Sequence, residues 1–371
     1  MIIIFSVLNG LVTLAKEPYK AFYPDIRIST VRGKFFAVDA TKVETIRHLD
    51  GVQKLTISIE DNVFAVNNDQ QKIITLKGIE NNYFSVNDIK QYLTTGSDDT
   101  VSTGNPYTAI VGKHIINELG TDINTLSRIE LNYPNPDASF SNLDPGNAIE
   151  RLGLHPAGVF SVSDEFDNKY VLAPLSLVQN LFHQPGKCSS IELKVQPEST
   201  MAVQKQLQQL LGTAFKVETR YEQNKTMYMV MGAEKWAVFA ILVLVLVIAT
   251  FNMVGALSML VLQKQKDIAI LRAMGAQQST IRSVFLFEGI LWSLTGGVSG
   301  IVLGAVICLL QQKFGFIRLG GSSFLVDAFP VELQFTDVIY VLVTVMLVGL
   351  AISWYPAMRA TRAIDPSLKS A

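Results

Sequence analysis

Residues 236–262, WAVFAILVLVLVIATFNMVGALSMLVL, run for 27 positions without a charge between Lys235 and Lys264. As an α-helix at 1.5 Å per residue this stretch is roughly 40 Å long, which crosses a hydrocarbon core of about 30 Å with some tilt. Two more uncharged stretches follow, at 289–312 and 338–358. Three such stretches so close together favour membrane spans over buried helices of a soluble core. The sequence predicts transmembrane helices over residues 236–262, 284–312 and 338–358.

The first 15 residues, MIIIFSVLNGLVTLA, are also uncharged. A helix of that length covers about 22 Å, which is short for a complete span, and the basic region that opens a secretory signal peptide is lacking. We expect residues 1–16 to be the later part of a first transmembrane helix that begins upstream, as a start site assigned too far downstream would produce. A short re-entrant or interfacial helix is the alternative.

Composition separates the chain into two parts. Of the 371 residues 49% are hydrophobic and 17% charged, with a formal net charge of −1, so neither a wholly soluble protein nor a nucleic-acid partner is expected. Residues 236–371 hold nine Lys/Arg and six Asp/Glu, which leaves 22 basic and 26 acidic residues for 1–235. The first part therefore has the composition of a soluble domain and the second that of a membrane domain.

The short loops predict the orientation. Residues 263–288 carry four basic and two acidic residues and the tail, 359–371, three basic and one acidic, whereas 313–337 carry two basic and three acidic. The positive-inside rule places the first two in the cytoplasm and the third outside. We expect a multi-pass protein of the bacterial inner (cytoplasmic) membrane, with a periplasmic domain over 24–230, a cytoplasmic segment at 263–283 and a periplasmic loop at 313–337.

The external domain has a mixed α and β pattern, so the fold class is an α+β membrane protein. Residues 26–80 predict strand, helix and two strands, and residues 190–221 predict strand, helix and strand. Two such units suggest a split ferredoxin-like subdomain, with 81–189 as an inserted, mostly β subdomain. Residues 132–156 are rich in Pro, Asn, Asp and Gly and predict an exposed loop, either a binding loop or an unselected insertion.

Catalytic and metal-binding patterns are lacking. The Gly-Lys pairs at 112–113 and 186–187 have neither the upstream glycine nor the following Ser/Thr of a phosphate-binding loop. The sequence also has no Gly-x-Ser-x-Gly motif, and its two cysteines and four histidines are scattered. We expect no catalytic residue, no metal site and no bound cofactor, so energy for transport must come from another chain.

Residues 263–283, QKQKDIAILRAMGAQQSTIRS, predict a short amphipathic helix, since Ile268, Leu271 and Met274 recur at helical spacing among basic residues. Such a helix rests in the lipid interface or fits a groove on a cytosolic partner, and composition leaves both open. In the next span, Gly296, Gly300 and Gly304 form a small-xxx-small repeat that serves internal packing or a subunit interface. For Glu288, at the cytoplasmic entrance of this span, a solvated or Arg-paired carboxylate is favoured over a proton relay.

Several stretches resemble the FtsX-like permeases of ABC transporters: KQKDIAILRAMGA at 264–276, FEG at 287–289 and YPAMRATRAIDP at 355–366. The order of one span, a large external domain and three spans is also similar. Residues 6–28 and 219–239 resemble the lipoprotein-releasing (LolC/LolE) branch of that family, especially its Bacteroidetes form. The family has a cytoplasmic segment and a complete first helix at the front, where this sequence differs.

The resemblance implies two permease subunits, identical or paralogous, that pair with two copies of a cytoplasmic ATPase binding ATP and Mg. It also implies extraction of a lipoprotein from membrane lipid and its delivery to a periplasmic carrier, with a carrier-binding loop that includes Asn135, Pro136, Leu143 and Pro145. A coupling helix would contact the ATPase through Lys266, Asp267, Ile268, Ile270, Leu271, Arg272, Met274, Gly275 and Ala276.

Two other functions remain open. One is an efflux permease for macrolides or peptides, a branch that commonly carries its own N-terminal ATPase domain. The other is a mechanotransmitting permease that regulates a cell-wall hydrolase, a branch with a much smaller external domain than the roughly 200 residues expected here.

Overall fold

The computed structural model describes residues 1–96, 107–121, 123, 128–135, 148–318 and 328–362. The chain divides into two compact units. A helical unit consists of Met1–Ala15 and Met227–Ala371, and an α+β unit consists of Lys16–Thr226. Each unit is described by itself.

The helices vary in length from single turns in the α+β unit to nearly forty residues in the helical unit. They are α1 (Ile2–Phe22), α2 (Ala40–Arg47), α3 (Tyr83–Val86), α4 (Lys113–Leu119), α5 (Asp164–Asp167), α6 (Leu175–Leu181), α7 (Thr200–Leu211), α8 (Arg220–Gln223), α9 (Lys225–Gln263), α10 (Gln265–Ala273), α11 (Gln278–Phe314) and α12 (Phe335–Arg362).

The strands all belong to the α+β unit. They are β1 (Ile26–Thr30), β2 (Phe36–Ala37), β3 (Val52–Asn67), β4 (Gln70–Ile79), β5 (Leu93–Thr95), β6 (Thr108–Gly112), β7 (Ile129–Pro134), β8 (Ile149–Phe160), β9 (Tyr170–Pro174), β10 (Lys187–Cys188), β11 (Ser190–Val195) and β12 (Phe215–Thr219). Within the described residues, one ten-stranded sheet has the order β12-β1-β11-β3-β4-β9-β6-β8-β5, and β7 pairs with β3 and β8. Strands β10 and β2 form a separate pair.

Both ends of the α+β unit contribute to its first four-stranded part, β12-β1-β11-β3, in which neighbouring strands are antiparallel. Alternate residues of β1, Ile26 and Ile28, are fully buried in one core with residues of α2 and α7. Helix α2 begins where Asp39 caps it, since the Asp39 carboxylate accepts hydrogen bonds from the backbone N–H of Thr41 and Lys42 at 3.0 and 3.4 Å.

Residues 81–189 share one sheet with β3 and β4, and their hydrophobic core includes Ile59 and Leu76 of those two strands. Strand β3 is 16 residues long, so it pairs with β11 near its start and with β7 near its end. Strand β4 then continues the sheet through a parallel pairing with β9. Strand β3 is long enough to contribute to both hydrophobic cores, and it therefore joins them. The residue pattern alone did not predict its pairing with β7.

The structure contradicts the prediction that the whole of residues 132–156 forms an exposed loop. Residues 129–134 and 149–160 are the antiparallel strands β7 and β8, with Ile129 opposite Leu154 and Pro134 opposite Ile149. Leu131 and Leu154 are buried in the core that β8 covers. The Pro- and Asn-rich composition therefore extends into strands whose alternate side chains are apolar, and it was wrong to treat the whole stretch as loop.

Four helices are long and apolar enough to cross a membrane: Ile2–Phe22, Lys225–Gln263, Gln278–Phe314 and Phe335–Met358. Helix α9 has 39 residues and α11 has 37, so each helix begins before the predicted span. The reason is that charged residues end the lipid-facing stretch without ending helical hydrogen bonding. In the helical unit, Ile2 and Phe5 of α1 pack with Leu242 of α9 and Val341 of α12.

Candidate functional site

The predicted coupling segment is the short helix α10, which only Lys264 separates from α9. Its end is fixed by backbone geometry. Gly275 has a φ of +93°, its N–H donates to the Arg272 carbonyl at 2.9 Å, and the Ala276 N–H donates to the Leu271 carbonyl at 3.0 Å. This pair of bonds is a Schellman motif, and glycine supplies the positive φ that it requires.

The apolar residues of α10 divide between two directions. Ile268 is buried in a small core with Val261 of α9, Ile281 and Phe285 of α11, and Ala357 of α12. The structure therefore places Ile268 as an anchor of α10 within its own chain, although its spacing had grouped it with the partner-facing residues.

The other large apolar side chains of α10 and its C-terminus are exposed, at 59% for Ile270, 48% for Leu271 and 78% for Met274. Lys266 is also exposed, and Asp267 forms an ion pair of 3.0 Å with Lys264. Exposed apolar side chains ringed by charges at a chain reversal form a surface suited to a groove on another protein. We call Ile270, Leu271 and Met274 the α10 apolar face.

A cavity of about 320 Å³ lies where the end of α9, α10 and the start of α11 meet. Its wall is mostly apolar, and the charged residues that line it are Lys264, Asp267 and Glu288. The Glu288 carboxylate accepts a hydrogen bond from the Trp292 indole N–H at 3.0 Å. The described partner of the Glu288 carboxylate is therefore Trp292. The Arg282 guanidinium stacks instead on the Trp354 ring, 3.7 Å from its centroid.

The three glycines of the small-xxx-small repeat have different surroundings. A Cβ on Gly304 would lie 3.2 Å from the Ile2 Cβ, so Gly304 packs against α1. A Cβ on Gly296 or Gly300 would meet nothing within 4 Å among the described residues. The repeat therefore serves internal packing at Gly304 and leaves an open strip on α11 at the other two positions.

The structure also joins residues that sequence reasoning had not grouped. Lys235, at the start of the span in α9, pairs with Asp337 of α12 at 2.9 Å, and Asn9 of α1 donates a hydrogen bond to the same carboxylate at 2.6 Å. Lys235 and Asp337 were counted only as charges at the ends of spans. The signal in the sequence was Asn9, an amide within the uncharged first 15 residues.

Of the residues proposed for a carrier-binding loop, Asn135 is described and Pro136, Leu143 and Pro145 lie outside the described residues. Asn135 follows β7 directly, and its backbone N–H donates to the Ala148 carbonyl at 3.0 Å. This bond continues the β7–β8 pairing beyond Pro134, so Asn135 belongs to the base of the hairpin.

The α+β unit contains an ion network on the sheet. Glu192 is fully buried and accepts hydrogen bonds at 2.7 Å from Lys77, Asn87 and Ser58. Burial opposes the charge on Lys77, but Glu192, Tyr83 and Glu60 together outweigh this and hold the Lys77 pKa well above its ordinary value. Every member pairs with another member, which indicates a structural role.

Metal ligation finds no support in the described residues, where no group of three or more His, Cys, Asp and Glu side chains is close enough to hold an ion. Cys188 and Cys308 are both free and buried.

The membrane part matches a known family. A family model for the C-terminal region of FtsX-like permeases covers residues 238–363, which include most of α9, all of α10 and α11, and α12. Residues 238–363 thus match the C-terminal region of the FtsX-like permeases. The predicted coupling segment and the glycine repeat lie inside the matched region.

Similarity to other proteins extends beyond the residues that the family model matches. The chain is 28% identical over 263 residues to "Lipoprotein-releasing system transmembrane protein LolE" of Haemophilus influenzae, an alignment that covers 68% of this chain and 62% of the relative. It is 26% identical over 300 residues to the LolC protein of the same system in Xylella fastidiosa, which covers 78% of this chain and 70% of the relative. The chain thus spans less than two thirds of the LolE relative.

A solved structure of the periplasmic region of MacB from Actinobacillus actinomycetemcomitans is 14% identical, with a TM-score of 0.39. That comparison covers 58% of this chain and 98% of the other chain.

Proposed function

We propose that this chain is the permease subunit of an ABC transporter that releases lipoproteins from the bacterial inner membrane to a periplasmic carrier. The support is its FtsX-like permease domain and its similarity to the LolE and LolC transmembrane proteins of lipoprotein-releasing systems. The four apolar helices give it the means to stay in the membrane while its α+β unit, with a ferredoxin-like part, faces the periplasm.

The observation that carries the proposal is the α10 apolar face. Ile270, Leu271 and Met274 are exposed at a site where the chain turns between two spans, while Ile268 fixes α10 to α9, α11 and α12. A separate ATPase that binds ATP and Mg would seat this face in a groove, and a shift of α10 would then move α9 and α11 with it. In this proposal ATP hydrolysis takes place on that separate ATPase.

A second permease subunit, identical or paralogous, would cover the open strip of α11 at Gly296 and Gly300. Small residues let helices approach closely in lipid, where packing must replace the hydrophobic effect as the source of association. On the periplasmic side, the residues between β7 and β8, which include Pro136, Leu143 and Pro145, would contact the lipoprotein carrier.

The test replaces the α10 apolar face by charge. A Leu271→Asp, Met274→Asp double variant should no longer retain the ATPase during purification, because burying the two new carboxylates in an apolar groove is costly. Lipoproteins should then accumulate in the inner membrane. Membrane insertion should be unchanged, since both side chains are exposed.

The matched control is Gln278→Asp, which adds a carboxylate to the same loop at the first residue of α11, where the helix dipole favours it. The control should retain the ATPase and release lipoproteins. Normal ATPase retention by the double variant would reject the coupling assignment. Normal lipoprotein sorting in cells depleted of the chain would reject lipoprotein release, and a wall-hydrolysis or drug-efflux defect would favour the two other permease functions.

A further inference from the structure

One face of α1 is polar. Ser6, Asn9, Gly10 and Thr13 follow each other at spacings of three, one and three residues, which places them on one side of the helix. Ser6 and Asn9 are 2% and 5% exposed. A polar stripe on a helix of this composition must be satisfied by the protein, because lipid offers no hydrogen-bonding partner.

The partner is the segment that leads into α12. The Ser6 carbonyl accepts a hydrogen bond from the Glu332 N–H at 2.8 Å, and the Thr13 hydroxyl donates to the Glu332 carboxylate at 2.5 Å. Between them, a Cβ on Gly10 would lie 2.4 Å from the Pro330 carbonyl oxygen. Only glycine at this position lets α1 and the segment come together.

At the centre of this contact is an ion pair shared by three helices. Lys235 of α9 donates to the two carboxylate oxygens of Asp337 of α12 at 2.9 and 3.2 Å, and to the Asn9 amide oxygen of α1 at 3.0 Å. The Asn9 amide nitrogen in turn donates to Asp337 at 2.6 Å. The Asp337 side chain is only 6% exposed. We call Asn9, Lys235 and Asp337 the three-helix clasp.

Separating the clasp would leave a buried carboxylate and an ammonium without partners at the edge of the hydrocarbon, which is far more costly than keeping them together. Helix α9 is also the helix that leads into α10. Resting on the function proposed above, we propose that Asn9, Lys235 and Asp337 are positioning residues that hold α1, α9 and α12 together throughout the transport cycle. Motion that enters at α10 is thereby passed through α9 to α1.

Charge exchange tests the pair. Lys235→Asp or Asp337→Lys alone should lower lipoprotein release by about tenfold or more, since each leaves two like charges in contact. The double exchange restores an opposite pair and should recover most of the release. If the two residues acted separately and not as a pair, the double exchange would not recover release. Single variants as active as the wild-type chain would overturn the proposal.

Cross-linking tests whether the clasp stays closed. Asn9→Cys, Asp337→Cys removes its hydrogen bonds and supplies two thiols that a short, reducible bifunctional thiosulfonate joins. Replacing Cys188 and Cys308 by Ala removes the two native thiols, so that the reagent joins only the introduced pair. Release should be lost in the untreated variant, recover on cross-linking and be lost again on reduction. A cross-linked form that stays inactive would show that the clasp must open.

The cross-linking yield gives a reading that does not depend on cargo. In membranes that contain the complete complex, the yield of a Thr13→Cys, Glu332→Cys pair, which leaves Asn9, Lys235 and Asp337 in place, should be the same without nucleotide and with ATP plus vanadate. A several-fold fall in either state would overturn the proposal. A constant yield in that variant, when the wild-type complex releases no lipoprotein, would retain the clasp and reject the lipoprotein-releasing function.

Discussion

The side chain of Ser353 in α12 lies directly on Gly289 of α11, so a Cβ on Gly289 would come within 1.9 Å of the Ser353 hydroxyl oxygen. The same contact recurs with the roles exchanged, because Ser293 of α11 lies on Gly349 of α12 at an equal distance. Each serine donates to the glycine carbonyl of its own helix, Ser293 to Gly289 at 2.9 Å and Ser353 to Gly349 at 2.6 Å. The hydroxyls are thus satisfied without spreading the two helices.

Gly289→Ala should therefore destabilise the helical unit. The added methyl group forces α11 and α12 apart, and such overpacking costs roughly 1–3 kcal/mol. Thermal unfolding of the detergent-solubilised chain measures the change. Gly296→Ala is the control on the same helix, since its Cβ meets no described residue, and it should unfold at or slightly above the wild-type temperature. Equal stability of the two variants would contradict the close contact.

These glycines show what spacing can and cannot predict. The repeat Gly296, Gly300 and Gly304 identified a smooth face on α11, but the helix that meets a face is decided by the rest of the bundle. The glycines that pack most tightly between α11 and α12 are Gly289 and Gly349. Neither belongs to the repeat, because here a serine on the facing helix takes the place of a second small residue.

Glu60 predicts a pH effect on the α+β unit. The Arg27 Nη2 atom donates to the Glu60 carboxylate at 2.5 Å, and Lys77 is 3.4 Å away. Burial alone would raise the Glu60 pKa, but the Arg27 guanidinium and the Lys77 ammonium outweigh it and lower the pKa to about 2. The pKa is thus lower in the folded chain than in the unfolded one. The stabilisation is complete above the unfolded value of 4.5 and is lost as pH falls towards 2.

We expect this carboxylate to account for on the order of 3 kcal/mol of the free energy of unfolding that is lost between about pH 4.5 and 2. Denaturant unfolding of the chain in detergent across this range measures it. Glu60→Gln keeps the shape without the charge, so it should be less stable at neutral pH and nearly equal to the wild type at pH 2. A constant difference between the two proteins over the whole range would contradict the assignment.

Gly275 should be needed for coupling. Its φ of +93° strains any side chain, so Gly275→Ala weakens the Schellman motif by about 1–2 kcal/mol and displaces Leu271 and Met274 from the α10 apolar face. Retention of the ATPase during purification should fall. Gly232→Ala in α9 is the control, because that glycine lies in open space with an ordinary helical φ. Equal retention by both variants would show that the end of α10 tolerates a different geometry.

The sequence predicted the coupling segment as an amphipathic helix but not the direction of each residue. Ile268, Leu271 and Met274 share a helical repeat, and a repeat alone cannot tell an anchor from a docking residue. The anchor depends on Val261, Phe285 and other residues of neighbouring helices, which local spacing does not bring together. The three-helix clasp was missed for the same reason, since Asn9 and Asp337 are 328 positions apart.

Orientation gives the most direct prediction. Met274 and Phe316 are 78% and 72% exposed, and they lie on loops at opposite ends of α11. A membrane-impermeant maleimide should label Phe316→Cys in intact spheroplasts and Met274→Cys only after permeabilisation. The native thiols of Cys188 and Cys308 are 0% and 1% exposed, so they contribute little background.

The paired design separates orientation from accessibility, because the two introduced thiols are almost equally exposed and differ only in the side of the bilayer they should face. Both should react to the same extent once the membrane is opened. Labelling of Met274→Cys in intact spheroplasts would place the α10 apolar face outside the cell's inner membrane, where no ATP-driven subunit can reach it. The proposed coupling would then fail whatever α10 contacts. Labelling of Phe316→Cys alone leaves that face on the side where nucleotide is available.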